Sequence, residues 1–235
     1  MTILKVFIDP GHGGTDPGAG DHGLKEKDLT LSISKRIQKL LMNYKDVEVK
    51  LSRTKDMTLS LKQRTDMANK WGADFLYSIH INAGGGEGYE DFIHNNLSDS
   101  SNTAKIRDII HAEIMKQVDF KERGRKKENF HMLRESDMTA VLTESGFIDS
   151  KVDSSKLKSD AYLDKIAKGH VNGLVKAYKL KLKDTSITYK IKAGDTLTAI
   201  AIKHNVTVED IMKANTSIKK ANEIRAGETI KIPKK

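Results

Sequence analysis

The apolar residues of this chain fall in short runs that stop on reactive side chains. Ile3 to Ile8 is almost all apolar with β-branched members, and Asp9-Pro10-Gly11 breaks it as a turn would, which predicts a strand that delivers His12. Phe75 to Ile79 leads into His80, and Ala140 to Thr143 into Glu144, in the same way. Val47 to Leu51 alternates as a further strand, Tyr89 to Ile93 reads as another, and Met132-Leu133 and Ala140 to Leu142 as short ones. Between them the period lengthens. Leu29, Ile33, Ile37, Leu40 and Leu41 recur at helical spacing from a start at Asp28 to about Asn43. Ser60 opens a short helix that ends at Trp71-Gly72-Ala73. Ile106, Ile109, Ile110, Ile114 and Val118 mark a longer one from about Asn102 to Val118, and helical segments follow around 154–158 and 162–178. Strands alternating with helices predict an α/β domain, a mainly parallel sheet covered by helices on both faces.

The rhythm changes after Tyr178. Lys179 to Ser186 is a stretch of lysines and small polar residues, beyond which Tyr189 to Ile191 is strand-like and Ala193-Gly194-Asp195-Thr196 turns into a helix through Leu197, Ile200 and Ala201. Thr207 with Asp210 forms a capping pattern for a second helix, and Thr229 to Ile232 closes as a strand. The reading is a domain over 1–180, a linker over 181–187 and a small βααβ module over 188–235, the last at the lower size limit for an independent core.

Composition narrows the chemistry. The hydrophobic fraction of 37% and the lack of a long uncharged apolar run exclude membrane insertion. With no cysteine, disulfides, thiolate nucleophiles and cysteine-held zinc are excluded, so any zinc must take nitrogen and oxygen ligands. The formal charge of +9 is spread along the chain without an aromatic-plus-basic recognition pattern, which argues against nucleic acid and leaves a solvated basic surface or an acidic polymer. The opening Met1-Thr2-Ile3-Leu4-Lys5 leaves no room for a signal peptide, so a substrate outside the cytoplasm would have to be reached by some other route.

Active sites of open α/β sheets gather beyond the carboxyl ends of the strands, so the three strand ends suggest one site. His12, Glu26 and His80 are the expected ligands of a single zinc ion, and Glu144 the general base that takes a proton from water and returns it to the leaving amine. Because the ligands are dispersed, placement rather than spacing selects them. His22, on the same loop as Glu26, could replace it, and His94 and His131 could face either site or solvent. His111 and His170 fall within helical stretches, and His204 belongs to the small module. Asp9 could orient a histidine, or serve only the turn before Pro10-Gly11.

These residues resemble the zinc-dependent N-acetylmuramoyl-L-alanine amidases of the type-3 family over nearly all of 3–180. The resemblance runs through Asp9 to Gly14, Asp16 to Ala19, Glu26-Lys27-Asp28, Ser52-Arg53, Arg64 with Ala68-Asn69, Ser78 to Asn82, and Ala140 to Phe147. It departs at Thr30, where asparagine is usual, at Thr139, where proline often stands, and at Ser150. It implies hydrolysis of the amide between N-acetylmuramic acid and L-alanine, zinc on His12, Glu26 and His80, catalysis by Glu144, and substrate contacts at Arg64 and Asn82. The spacing before the last strand is too short for the inhibitory helix that some relatives carry, which predicts an open site. Residues 188–233 resemble a LysM module, implying binding of N-acetylglucosamine-containing glycan in peptidoglycan, with contacts at Gly194, Asp195, Thr196 and Asn215. A monomer is expected, acting as a phage endolysin in the host cytoplasm or as a bacterial autolytic or sporulation amidase. A wall-binding protein without catalysis is the alternative.

Overall fold

The computed structural model describes residues 3–234; Met1, Thr2 and Lys235, which the expected domain ranges and signal-peptide reading include, lie outside the described residues. The chain divides into two compact units, Met1–Leu182 and Lys183–Lys235.

The larger unit runs β1 (Leu4–Pro10), β2 (Gly20–Asp21), β3 (Leu24–Lys25), α1 (Glu26–Leu41), β4 (Val47–Leu51), α2 (Leu61–Trp71), β5 (Phe75–Asn82), β6 (Tyr89–His94) and α3 (Asn102–Met115). It continues through β7 (Glu122–Glu128), α4 (His131–Arg134), β8 (Thr139–Phe147), α5 (Lys151–Leu157) and α6 (Asp160–Tyr178). A six-stranded sheet in the order β4-β1-β5-β8-β6-β7 forms its centre, parallel except where β6 meets β8. The α/β fold expected from the alternating pattern is the fold found.

Period-two alternation sends neighbouring residues to opposite faces. Val6, Ile8, Tyr77, Ile79 and Val141 pack on one side against Ile33 and Ile37 of α1, Ile110 of α3 and Leu174 of α6. Phe7, Leu76, Phe92 and Leu142 form a smaller core on the other with Ala68 of α2 and Met132 and Leu133 of α4. Carried on in twos, this second face presents Asp9 on β1, His80 on β5, Glu144 on β8 and Glu90 on β6. The polar residues at the end of the sheet thus continue the stripe of the smaller core.

Several local expectations give way. Met132-Leu133, read as a strand, is the helix α4, whose apolar pair plugs the second core. The strand β7 is Glu-Arg-Gly-Arg-Lys-Lys-Glu, an edge strand without apolar alternation, so hydropathy hides it. The loop before α1 contains the β2–β3 hairpin, and α1 begins at Glu26 rather than Asp28. The helix expected to reach Val118 stops at Met115.

The smaller unit contains β9 (Ile187–Lys190), α7 (Leu197–Lys203), α8 (Val208–Ala214) and β10 (Thr229–Ile232). β9 and β10 pair antiparallel, and Ile191, Leu197, Ile200, Ile211, Ile230 and Ile232 are the centre of its core. Thr196 caps α7, and Thr207 with Asp210 closes a capping box on α8. Before it, Leu182 still bridges to Tyr44 of the larger unit, whereas Asp184 accepts from Lys231 Nζ within the smaller one.

Candidate active site and metal centre

The end of β1 fixes the site's first member. Gly11 donates to the Ile79 carbonyl at 3.0 Å, and His12 follows with a φ of 60°, a left-handed conformation that a residue with a Cβ adopts only when its surroundings enforce it. The enforcement is visible below the turn. Arg64, 3% exposed, donates to the carbonyls of Pro10 and His12, each at 2.7 Å, and to Asp9 Oδ1 at 2.9 Å. Arg53, 1% exposed, donates to the Gly11 carbonyl at 2.8 Å and the Lys27 carbonyl at 2.7 Å. Two buried guanidiniums thereby take up the carbonyls of the loop and turn its other side outward.

Glu26 occupies the first turn of α1, and its two oxygens are shared between two rings. His12 Nε2 lies 3.1 Å from Oε2, and His80 Nδ1 3.0 Å from Oε1. Burial works to raise the Glu26 carboxyl, but the hydrogen bonds and charges of His12 and His80 outweigh it and hold it well below the usual carboxylate range. His12 is likewise opposed by burial, yet Glu26 and Asp16 raise it overall. One ligand atom from each of His12, Glu26 and His80 lies within 4.8 Å of the other two. The backbone crowds this group: a Cβ on Gly11 would meet His80 Cε1 at 2.3 Å, and one on Gly18 would meet Glu26 Oε2 at 2.6 Å and His12 Cδ2 at 2.7 Å.

Asp16 was not among the expected site residues. Its Oδ2 lies 2.8 Å from His12 Nδ1, and its Oδ1 accepts from Gly18 N at 3.0 Å. A carboxylate can only accept, so Nδ1 carries a hydrogen toward Asp16, which leaves Nε2, on the Glu26 side, as the ring nitrogen a cation would take. Asp9, which could have oriented a histidine, is instead buried among Arg64, Ser52 and Ser78 and makes no hydrogen bond to a histidine ring among the described residues.

Glu144 stands beside His80 in the β5–β8 register and opposite Glu90 in the β8–β6 register. Its Oε2 is buried with no hydrogen-bond partner among the described residues. Burial, then the charges of Glu26 and Glu90, push the Glu144 carboxyl well above its ordinary value. Glu90 itself is held low: burial would raise it, but Lys126 and Arg123 outweigh that. A cleft of about 230 Å³ opens between His12, His80, Asp16 and the start of α2. A larger hollow of about 840 Å³ lies at the amino ends of the strands, lined by Ile3, Lys45 and Tyr178 among others, and contains no histidine or glutamate. Chemistry, not volume, locates the site.

The family model described as N-acetylmuramoyl-L-alanine amidase matches residues 6–176. The chain belongs to this family. The chain is 52% identical over 191 residues to the amidase CwlM of Bacillus licheniformis, covering 81% of this chain and 74% of that protein. It is 49% identical over 193 residues to the sporulation-specific amidase of Bacillus subtilis, covering 82% and 75%, and 40% identical over 182 residues to the endolysin of Bacillus phage SPP1, covering 76% and 67%. The crystal structure of an amidase from Clostridium difficile 630 superposes with a TM-score of 0.73 at 36% identity, covering 76% of this chain and 98% of that one. A LysM model matches residues 189–233.

The other histidines of the amidase unit fall away from the ligand group. His22 is on the β2–β3 hairpin beside Asp21, and His94 faces Asn96 and Asn129. His131 meets Thr65, His111 is buried between Asp91 and Glu122, and His170 is buried against Tyr77. Arg64 makes its bonds inward, to the β1 loop, while Asn82 donates to Glu90 Oε1 at 2.7 Å at the edge of the site. In the LysM unit, Gly194 forms a turn with φ 85°, Asp195 accepts from Tyr189 Oη and Lys192 N, Thr196 caps α7, and Asn215 bridges the backbone of Lys231. His204 is in this unit as well, against the Tyr189 ring.

Proposed function

We propose that the larger unit hydrolyses the amide between N-acetylmuramic acid and L-alanine in peptidoglycan, with one zinc ion on His12, Glu26 and His80 and with Glu144 managing protons. The observation that carries this reading is the convergence of two imidazole nitrogens with the two oxygens of one buried carboxylate, beside a second carboxyl whose buried Oε2 has no hydrogen-bond partner among the described residues. The donor set fits zinc. One nitrogen or oxygen donor from each of His12, Glu26 and His80 lies within 4.8 Å of the other two, a donor set that would hold zinc. The ion, when bound, supplies Lewis acidity that polarises the amide carbonyl and acidifies water.

The chain's own residues do the rest. Asp16 keeps His12 in the tautomer that offers Nε2. Glu144 accepts the proton of the attacking water as oxygen bonds to the carbonyl carbon, and delivers it to the amine nitrogen as the carbon–nitrogen bond breaks. Its buried, electronegative setting favours the protonated carboxyl needed for that second transfer, and a cation beside it offsets the push enough for the first. α4, the one short helix between β7 and β8, packs its apolar pair into the second core, which supports an open site.

The LysM unit is proposed to hold the chain on glycan, raising the local concentration of substrate. For the biological role we propose lysis from within, as a phage endolysin; the similarity to a sporulation-specific amidase favours mother-cell lysis as a second reading. Expression confined to phage induction or to sporulation separates the two. The reaction is tested with purified peptidoglycan, the intact chain and Glu144→Ala, with and without a chelator, reading new termini by mass spectrometry. The expected result is free L-alanine amino termini without new reducing ends, lost in the variant and on chelation. Cleavage at another bond would overturn the substrate assignment.

A further inference from the structure

Beyond Glu144 the site face continues toward the edge of the sheet in a row of charge. Glu90, opposite Glu144, receives Arg123 Nε at 2.7 Å and Lys126 Nζ at 2.5 Å on the same oxygen, Oε2. In a regular strand, positions 123 and 126 would point to opposite faces. The β6–β7 register shifts between Tyr89 and Asp91, and this irregularity brings both cations to the Glu90 side. Arg125 and Lys127 pair elsewhere, with Asp108 and Asp99.

The Arg123 guanidinium is held as well as aimed. It lies 4.7 Å from the centre of the Phe147 ring, and Phe147 is buried. Its Nε is taken by Glu90, while Nη1 and Nη2 have no hydrogen bond among the described residues and the side chain is 31% exposed. The fork that matches a carboxylate is therefore free and pre-oriented. Two cations on one carboxylate leave this end of the row positive.

We propose that Arg123, with Lys126 beside it, binds a carboxylate of the peptide leaving group and makes the enzyme discriminate free-acid from amidated stem peptides. The proposal rests on the amidase reading given above. The proton donor must face the amine that departs, so the peptide extends from the metal ligands past Glu144, toward β6 and β7. The guanidinium reaches back from β7 over β6 to Glu90 and the Phe147 ring, so it lies between one and two strand spacings from β8, roughly 5–10 Å. An extended peptide places its second residue about 7 Å from the scissile amide, with the carboxyl a little beyond. In wall stem peptides that second residue is a glutamate joined through its side chain, and its main-chain carboxyl is either free or amidated.

The test uses the full chain with two soluble muramoyl peptides, identical except that the second residue ends in a carboxylate or an amide, and calorimetric binding of the corresponding product peptides. The wild type is expected to favour the acid by about tenfold in kcat/KM, carried by KM, and to bind the acid product more tightly by a similar factor. Arg123→Gln should bring both ratios near one, and Arg123→Lys should fall between. The lysine variant keeps a cation on Glu90 and reports the same ratio if the glutamine variant does not fold. Equal handling of acid and amide by the wild type, with cleavage intact, overturns the subsite and leaves the amidase reading standing. So does a loss in Arg123→Gln that is equal on both substrates, which a purely structural role would give. Cleavage of neither peptide, with an acid preference in binding that Arg123→Gln abolishes, would overturn the amidase reading and support the subsite.

Discussion

Asp16 offers a way to perturb the proposed metal centre without touching a proposed ligand. Its carboxylate holds the hydrogen of His12 Nδ1 at 2.8 Å and that of Gly18 N at 3.0 Å. In Asp16→Asn the amide has one acceptor for those two donors. If the oxygen stays on Gly18, the amide nitrogen faces Nδ1 and forces the histidine hydrogen onto Nε2, the atom that must remain bare to bind an ion. Asp16→Ala removes the bias without reversing it. The Asp16 side chain is 60% exposed, so solvent screens its charge and most of the effect must come from hydrogen-bond geometry. Loss of such a partner lowers metal affinity by about 10- to 100-fold, or roughly 1.4–2.7 kcal/mol. The expected order of zinc affinity, read by competition with a chromophoric chelator at pH 7.5, is wild type, then Asp16→Ala, then Asp16→Asn. Thermal denaturation of the metal-free proteins should differ little. Zinc binding by Asp16→Asn within twofold of wild type would refute the tautomer argument.

Three further outcomes are expected. Asp9→Ala strands Arg64, which is 3% exposed, and should destabilise the amidase unit by about 3–5 kcal/mol, read as a lower urea midpoint with an unchanged slope. His170 is buried against Tyr77, and burial lowers its pKa from 6.5 to about 3. Between those values the unfolded state binds one more proton, so this stability is fully present above about 6.5 and is lost as pH falls. The loss is about 2 kcal/mol from pH 7.5 to 5, and His170→Gln should flatten that slope in denaturation curves. A chain ending at Leu182 should still cleave soluble muropeptides yet sediment less with intact walls; unchanged sedimentation would remove the targeting role of the LysM unit.

The sheet and the clustering of His12 with His80 were legible because both are written in apolar runs that end on chemistry. A strand buried on both faces needs a continuous apolar stretch, and the first polar residue after it marks the end where sites form, which is how His12, His80 and Glu144 stand out. Glu26 was reachable through the loop it shares with His12, although its place inside the first turn of α1 was not. The partners beneath the site carry no such mark. Asp9 resembled a turn residue and is half of a buried ion pair; Arg64, in the sequence a candidate for substrate, makes its bonds to the β1 loop. Arg123 belongs to a strand with no apolar alternation, and a shift in register, which no composition reports, decides where its side chain points.

That same strand closes one side of the sheet, with its outer amides and carbonyls unmatched by any neighbouring strand among the described residues. Such a border invites another chain to add itself, and accumulation at high concentration would make the invitation costly. The cations at 123, 125, 126 and 127 and the local shift in pairing make the border a poor template, because an incoming strand would have to bring its own chain past a row of like charge. The cations of the proposed carboxylate subsite thus also work against polymerisation of the folded protein. A version of β7 rewritten with threonine and valine would be expected to lose solubility even if every catalytic group stayed in place.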